Sequence, residues 1–305
     1  MTTAGAKDWR SKAPEPMINM AVARACFVRC PGCYNRFSPN QDLISNDDII
    51  DFLRFASSRG VRKLTYCGGD PLTRPNIVEL IRRTNALDYK IKLDTVGTAL
   101  ITPAKAIYFG SGDIPYVKLS DIAESIYLFA IPLDGHNSEV TLKFRKGRDE
   151  LFDEQKKILK LLVGFGCNVV VHTVATQDNI NHLNCIGHTI HEIDKNLNWK
   201  IFQFSPNGPI AQRTAARYEI DVQDFSKRAL EAKQYLSGLG HVGKISIAPV
   251  AGREGIYLFI DSEGKAWRPE DSNDQYLGSI VSADDRPKIV EHVIAANINR
   301  VKSAN

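Results

Sequence analysis

The sequence predicts an α/β fold, a partial barrel of six βα units followed by a small C-terminal extension. Short apolar runs alternate with amphipathic stretches of helical period, the pattern of repeated βα units around a mainly parallel sheet. The chain has 305 residues, which suits one barrel-type domain with an addition better than several small domains. No internal repeat or low-complexity tract breaks this rhythm.

Residues 1–16 mix small, charged and proline residues without a period and are expected to form a flexible lead-in. The barrel is expected over 17–217, with strands over 18–23, 63–66, 90–94, 128–132, 168–174 and 200–204. Between them the apolar spacing predicts helices over 46–59, 77–85, 151–164 and 182–193, the first capped by Ser45 or Asn46. The stretch 102–121 interrupts the pattern with Pro and Gly and receives no element. Over 218–305 the extension is expected to hold a helix at 222–237 and strands near 244–247, 257–261 and 266–268. Ser262-Glu263-Gly264 reads there as a hairpin turn.

A formal net charge of +4 over the whole chain is too small and too dispersed to argue for a nucleic-acid surface. No run of about 18 apolar residues occurs and residues 1–16 lack an apolar signal core, so a cytoplasmic protein with no membrane association is expected. Three of the six cysteines fall within residues 26–33, unlike a secreted disulfide framework.

Cys26, Cys30 and Cys33 stand in Cys26-Phe27-Val28-Arg29-Cys30-Pro31-Gly32-Cys33-Tyr34-Asn35, directly after the first expected strand, where ligand loops of α/β folds lie. Three thiolates can hold three irons of a [4Fe–4S] cubane and leave the fourth open. Two alternatives stay open on the residues alone. One is a zinc site completed by Cys67 or a histidine, which lacks the usual second C-x-x-C or C-x-x-H pair. The other is a set of buried free cysteines, a poor fit to three thiols beside Pro-Gly.

The C-x-x-x-C-x-x-C spacing after a first strand resembles the radical S-adenosylmethionine superfamily. Its Cys30-Pro31-Gly32-Cys33-Tyr34-Asn35 form is similar to activating enzymes of anaerobic ribonucleotide reductase. The resemblance implies one [4Fe–4S] cluster held by Cys26, Cys30 and Cys33, with S-adenosylmethionine chelated at the open iron. Many members carry an aromatic residue before the third cysteine, near adenine; here that residue is Gly32, and Tyr34 is expected in the role.

Further motifs follow in the family's order. Cys67-Gly68-Gly69-Asp70-Pro71 resembles GGE-P with Asp for Glu, implying that Gly68 and Gly69 let backbone approach the cofactor and that Asp70 accepts from the methionine ammonium. Asp94-Thr95-Val96-Gly97 resembles T-N-G, and Pro132-Leu133-Asp134-Gly135 resembles S-L-D-G, which brings Thr95 and Asp134 into the cofactor set. Lys143-Phe144-Arg145-Lys146-Gly147-Arg148 places four cations in six residues, a pattern that is also that of a solvated face. Arg148 is expected at the cofactor carboxylate, and Arg145 and Lys146 at an anionic substrate.

His172, Gln203 and Ser205, on or just after the fifth and sixth strands, complete the expected substrate set, although His172 alone also suits a satisfied core histidine. His182, His188 and His191 read as helix-surface or packing residues, and Cys67, Cys167 and Cys185 as isolated thiols. Trp199 to Phe204, Lys146-Gly147-Arg148 and Arg217-Tyr218-Glu219-Ile220 are similar to viperin-like members, implying a nucleotide-like substrate.

The reading is an enzyme that takes an electron from an external flavodoxin- or ferredoxin-like donor, cleaves S-adenosylmethionine to a 5′-deoxyadenosyl radical and abstracts hydrogen from a small anionic molecule. Two rivals stand beside it: an activating enzyme that makes a glycyl radical on a partner protein, and a zinc- or cluster-stabilised binding module without turnover.

Overall fold

The computed structural model describes residues 15–35, 43–110, 112–251, 258–269 and 274–304. The expected lead-in therefore lies outside the described residues except for Glu15 and Pro16, and so does Tyr257 of the strand expected at 257–261. Glu15 is tied to the sheet by Lys63 at 3.0 Å and Lys90 at 3.2 Å.

The strands are β1 (Met17–Ala23), β2 (Lys63–Gly68), β3 (Lys90–Asp94), β4 (Ala104–Ala106), β5 (Gly112–Ile114), β6 (Ile126–Pro132), β7 (Val169–Ala175), β8 (Asn198–Gln203), β9 (Ile245–Ala248), β10 (Phe259–Ile260), β11 (Lys265–Arg268) and β12 (Gln275–Ser279). The helices are α1 (Asn46–Ser57), α2 (Ile77–Asn85), α3 (Ser138–Phe144), α4 (Leu151–Gly164), α5 (Leu183–Ile193), α6 (Pro209–Gln212), α7 (Ala215–Tyr218), α8 (Val222–Gly238) and α9 (Arg286–Ala304). Ten strands form one sheet in the order β12-β11-β10-β1-β2-β3-β6-β7-β8-β9, while β4 and β5 form a separate antiparallel pair.

The six central strands, β1 through β8 without the small pair, are parallel and form the expected partial barrel. Their alternation decides the two faces. Ile18, Met20, Leu64, Tyr66, Ile91, Leu93, Phe129, Ile131, Val171, Trp199 and Ile201 are fully buried under the helices. Burial of each such side chain contributes roughly 1.5–3 kcal/mol, which makes this face the principal source of stability. The indole N–H of Trp199 is satisfied by Thr173 Oγ1 at 2.8 Å, and Thr173 donates to the Leu133 carbonyl at 2.6 Å. A buried Arg74 stitches α1 to β1 by donating to the carbonyls of Val22 and Ile44, both at 2.7 Å, and to Asn46 Oδ1.

The residues past 217 do not stand apart from this sheet. Helix α8 leads to β9, which pairs parallel with β8 and adds a seventh parallel strand at one edge. At the opposite edge β10 pairs parallel with β1 and turns through 262–264 into the antiparallel β11 and then β12. The expected hairpin is thus present, and it extends the barrel's own sheet.

Candidate functional site

The cysteine loop leaves β1 and is held by two other segments. Cys26 N–H donates to the Tyr108 carbonyl at 2.9 Å, and Ile107 N–H donates back to the Cys26 carbonyl at 2.9 Å. Arg29 and Lys146 exchange backbone hydrogen bonds of 2.9 and 3.1 Å. Within the loop Cys33 N–H donates to the Cys30 carbonyl at 3.2 Å. The three thiols sit with Val28, Val96, Leu151 and Tyr108 in one apolar cluster. Burial pushes all three up, Cys33 to about 12; Asp70 and the neighbouring thiols add to it at Cys26 and Cys30 adds to it at Cys33, whereas Arg145 works against it at Cys30. A cation placed among them would favour their thiolate forms, as the irons of an iron–sulfur donor set do.

Gly32 explains its own departure from the family pattern. A β-carbon there would fall 2.5 Å from Phe204 Cε2 and 2.8 Å from Phe144 Cε2. These rings and Tyr218 form an aromatic wall where an aromatic residue before the third cysteine would compete for space. The chain over 208–214 covers the same loop, with Thr214 Oγ1 donating to the Pro31 carbonyl at 3.0 Å. Tyr34 remains 42% exposed and packs 5.5 Å from the Phe259 ring.

The close approach made by Gly68 and Gly69 is to protein backbone. A β-carbon at Gly68, where φ is +135°, would lie 2.4 Å from the Ala23 carbonyl oxygen, and one at Gly69 would lie 2.1 Å from that of Ala25. Gly69 and Asp70 N–H groups donate to the carbonyls of Ala23 and Ala25 at 2.8 and 2.7 Å, so this loop braces the entry to the cysteines. The Asn35 side chain closes the other end by donating to the Gly68 carbonyl.

The Asp70 carboxylate, 1% exposed, accepts from Leu72 N–H at 3.0 Å, Val96 N–H at 2.6 Å and Thr95 Oγ1 at 2.8 Å. Burial pushes it up to about 6, with these hydrogen bonds pulling the other way. It clamps the loops after β2 and β3 together, and Thr95 passes the order on by accepting from Gly97 N–H at 2.9 Å.

The cation-rich segment divides by partner. Arg148 makes a two-point pair with Glu154, both contacts at 2.6 Å, in the first turn of α4; it is this acid that engages the guanidinium expected at the cofactor carboxylate. Lys143 lies 3.8 Å from Glu139. Arg145 turns inward, with Nε on Asp134 Oδ2 and Nη1 3.5 Å from Cys30 Sγ. Burial works against its charge, yet Asp134 and the Cys30 thiol outweigh that and push it above the ordinary arginine value. Asp134 is itself fixed, accepting from Val174 N–H at 2.6 Å. Lys146 reaches the site through its backbone bridge to Arg29.

The sheet face turned away from the helices is charged. Registered neighbours place Lys92 and Asp94 of β3, His172 and Val174 of β7, and Lys200 and Phe202 of β8 on it, each only partly buried. Lys92 pairs with Asp94 at 2.8 Å, and Lys200 Nζ lies 4.6 Å from the Phe202 ring centroid. Burial, then Lys92, Lys200 and Arg145, hold His172 well below its ordinary value and therefore neutral.

Gln203 points to the other face. Its amide donates to the Ile220 carbonyl at 2.8 Å and accepts from Val250 N–H at 2.9 Å, a structural use set by the period-two alternation that separates it from His172 and Lys200. Ser205 lies just beyond β8, partly buried beside Phe204. Lys92, Asp94 and Lys200 were not among the expected site residues. The signal that finds them is charge at every second position of Lys90-Ile91-Lys92-Leu93-Asp94 and Trp199-Lys200-Ile201, where the alternate residues are wholly apolar.

Among known proteins, the chain is 18% identical over 275 residues to an S-adenosylmethionine-dependent nucleotide dehydratase of Flammeovirga pacifica, covering 87% of each. It is 25% identical over 213 residues to an AdoMet-dependent heme synthase of Oleidesulfovibrio alaskensis, covering 67% of this chain and 50% of that one. It is also 26% identical over 116 residues to a GTP 3′,8-cyclase of Limosilactobacillus fermentum, covering 36% and 35%. The chain thus spans about half of the heme synthase's length and about a third of the cyclase's.

Among solved structures it shares the fold of Streptococcus suis SuiB bound to S-adenosylmethionine, with a TM-score of 0.66 and 15% identity over 89% of this chain and 64% of that one. It also shares the fold of anSMEcpe with bound AdoMet, with a TM-score of 0.60 and 15% identity over 88% and 80%. The family model for the Radical SAM superfamily matches residues 20–184, more than half of the chain and the whole course from β1 through the start of α5. With that match, the partial barrel and the thiol-bearing loop at its first strand, the chain belongs to the radical SAM superfamily, enzymes that work with a [4Fe–4S] cluster and S-adenosylmethionine.

Proposed function

We propose that Cys26, Cys30 and Cys33 hold one [4Fe–4S] cluster with an iron left for S-adenosylmethionine, and that the enzyme removes hydrogen from a small anionic, nucleotide-like molecule on the open face of the sheet. The observation that carries the substrate class is the pair of lysines, Lys92 and Lys200, flanking a neutral His172 on that face. Lys200, the Lys92–Asp94 pair and an uncharged imidazole donor or acceptor together suit an anionic group. The dehydratase similarity, which runs over 87% of both chains, supports a nucleotide.

When bound and supplied with an electron by an external flavodoxin- or ferredoxin-like donor, the cluster provides the reductive cleavage of S-adenosylmethionine that yields a 5′-deoxyadenosyl radical. The chain's own residues bind, orient and exclude water. Asp70, its oxygens engaged by protein donors, shapes the cofactor end by joining the loops after β2 and β3, with Gly68, Gly69 and Thr95 as parts of that clamp. Tyr34 presents its ring at the mouth beside Phe259. Phe144, Phe204 and Tyr218 wall the loop from water, which protects a radical from side reactions. Among the described residues no three His, Cys, Asp or Glu side chains converge to hold a single metal ion.

The test is anaerobic reconstitution followed by iron analysis and product assay with a strong reductant. About four irons per chain are expected, together with slow release of 5′-deoxyadenosine that speeds up when the right nucleotide is added from a panel. Deuterium from that nucleotide should appear in 5′-deoxyadenosine. Zinc in protein purified without oxygen would overturn the cluster reading. Deuterium arriving from a partner-protein glycine would replace the substrate reading by the activating enzyme.

A further inference from the structure

We propose that the buried Asp134–Arg145 pair sets the reduction potential of the cluster through the Cys30 thiolate. The proposal rests on Cys30 being a cluster ligand, as inferred above. The reciprocal hydrogen bonds between Arg29 and Lys146 pin the segment after α3 against the cysteine loop, so residues 145 and 30 lie side by side. Arg145 leaves α3 with its N–H on the Thr141 carbonyl at 2.8 Å, and its side chain turns inward where Arg148 turns to Glu154 of α4 and Lys143 to Glu139 of α3.

The guanidinium is fixed at two points. Nε is on Asp134 Oδ2, and Nη1 is 3.5 Å from Cys30 Sγ, within reach of an N–H···S hydrogen bond. Asp134 is wholly buried and cannot follow a moving arginine, because its other oxygen holds Val174 N–H and its backbone carbonyl accepts from Asn179 Nδ2 at 2.9 Å. A planar guanidinium held this way keeps its donor on the sulfur, which a flexible lysine would not.

Reduction adds an electron that the cluster shares with its thiolates. A donor and a positive charge at one thiolate favour the reduced form and raise the potential. The Asp134 carboxylate behind the guanidinium offsets part of that charge. The two residues therefore act with opposite sign: losing the arginine makes the cluster harder to reduce, and neutralising the aspartate makes it easier. A pair that merely held the loop in place would have no such sign.

The experiment is a redox titration of the reconstituted cluster followed by electron paramagnetic resonance, with iron counted in every sample. Poised at the wild-type midpoint, Arg145→Met is expected to have a reduced-to-oxidised ratio about tenfold lower, equivalent to about 59 mV for a one-electron couple. Arg145→Lys should fall between it and the wild type, and Asp134→Asn should shift the ratio the other way. Equal potentials in iron-replete variants, or shifts of the same sign, would overturn the proposal. If Arg145→Met does not retain iron, Arg145→Lys below and Asp134→Asn above the wild type are still required. Retention of four irons by Cys30→Ala would instead refute the ligand assignment, whatever the potentials.

Discussion

Replacing Asp70 by Asn isolates the cost of keeping a carboxylate buried between two loops. The ordinary carboxyl value of 3.8 is raised to about 6 in the folded protein, with burial the largest cause. A group raised on folding stabilises the native state fully below its unfolded value, and that contribution is lost as the pH rises through the folded one. The window is therefore about pH 4 to 6, and stability falls as the pH rises across it. At about 1.4 kcal/mol per pH unit, the difference amounts to about 3 kcal/mol to order of magnitude.

Urea unfolding of the metal-free protein between pH 4 and 7 gives the curves. Because other acids titrate in both proteins, the informative quantity is the wild-type stability minus that of Asp70→Asn, which should decline by about 3 kcal/mol from pH 4 to 7. Asn still offers one oxygen, but it sets an amide N–H against one of the donors from Leu72, Thr95 and Val96, which adds a pH-independent cost of about 1–3 kcal/mol. Parallel curves would refute the reasoning, since a carboxylate hydrated or well compensated in the folded state produces no slope.

Gly32→Ala should destabilise the protein by about 1–3 kcal/mol through overpacking against Phe144 and Phe204 and lower the iron content on reconstitution, both read on one preparation. Iron analysis of single Cys→Ala variants should show loss of the cluster at residues 26, 30 and 33 and retention at 67, 167 and 185. Lys200→Gln should raise the KM of an anionic substrate about 10- to 100-fold, the equivalent of one charged hydrogen bond, while 5′-deoxyadenosine release without substrate continues unchanged.

The strands of the barrel were legible because each carries a largely apolar set on its helix-covered face. The expected 90–94, 77–85 and 151–164 coincide with β3, α2 and α4, and the other expected barrel ends fall within two residues. Helix α3 escaped notice because seven residues hold too little of a helical period to show one. The β4–β5 pair hid behind the Pro and Gly of 102–121, and its purpose, carrying Ile107 and Tyr108 to Cys26, is a long-range contact with no local signature. Motif order marked the cysteine loop and the Asp70 region. It did not distinguish Arg145 from Arg148, because that depends on which acid each cation meets in space, Asp134 from the loop after β6 or Glu154 from α4.

The pairing of β1 with β10 bears on the order in which the molecule can be built. Asn19 Nδ2 donates to the carbonyl of Leu258 at 3.3 Å across 239 residues of chain, so a ribosome releases the first strand long before its edge partner exists. Until then β1, apolar on one face and followed by three reactive thiols, has β2 on one side and an open hydrogen-bonding edge on the other. Truncation after residue 217 would make that interim condition permanent, leaving a nascent-like chain prone to edge-to-edge association and to oxidation of the unmetallated cysteines.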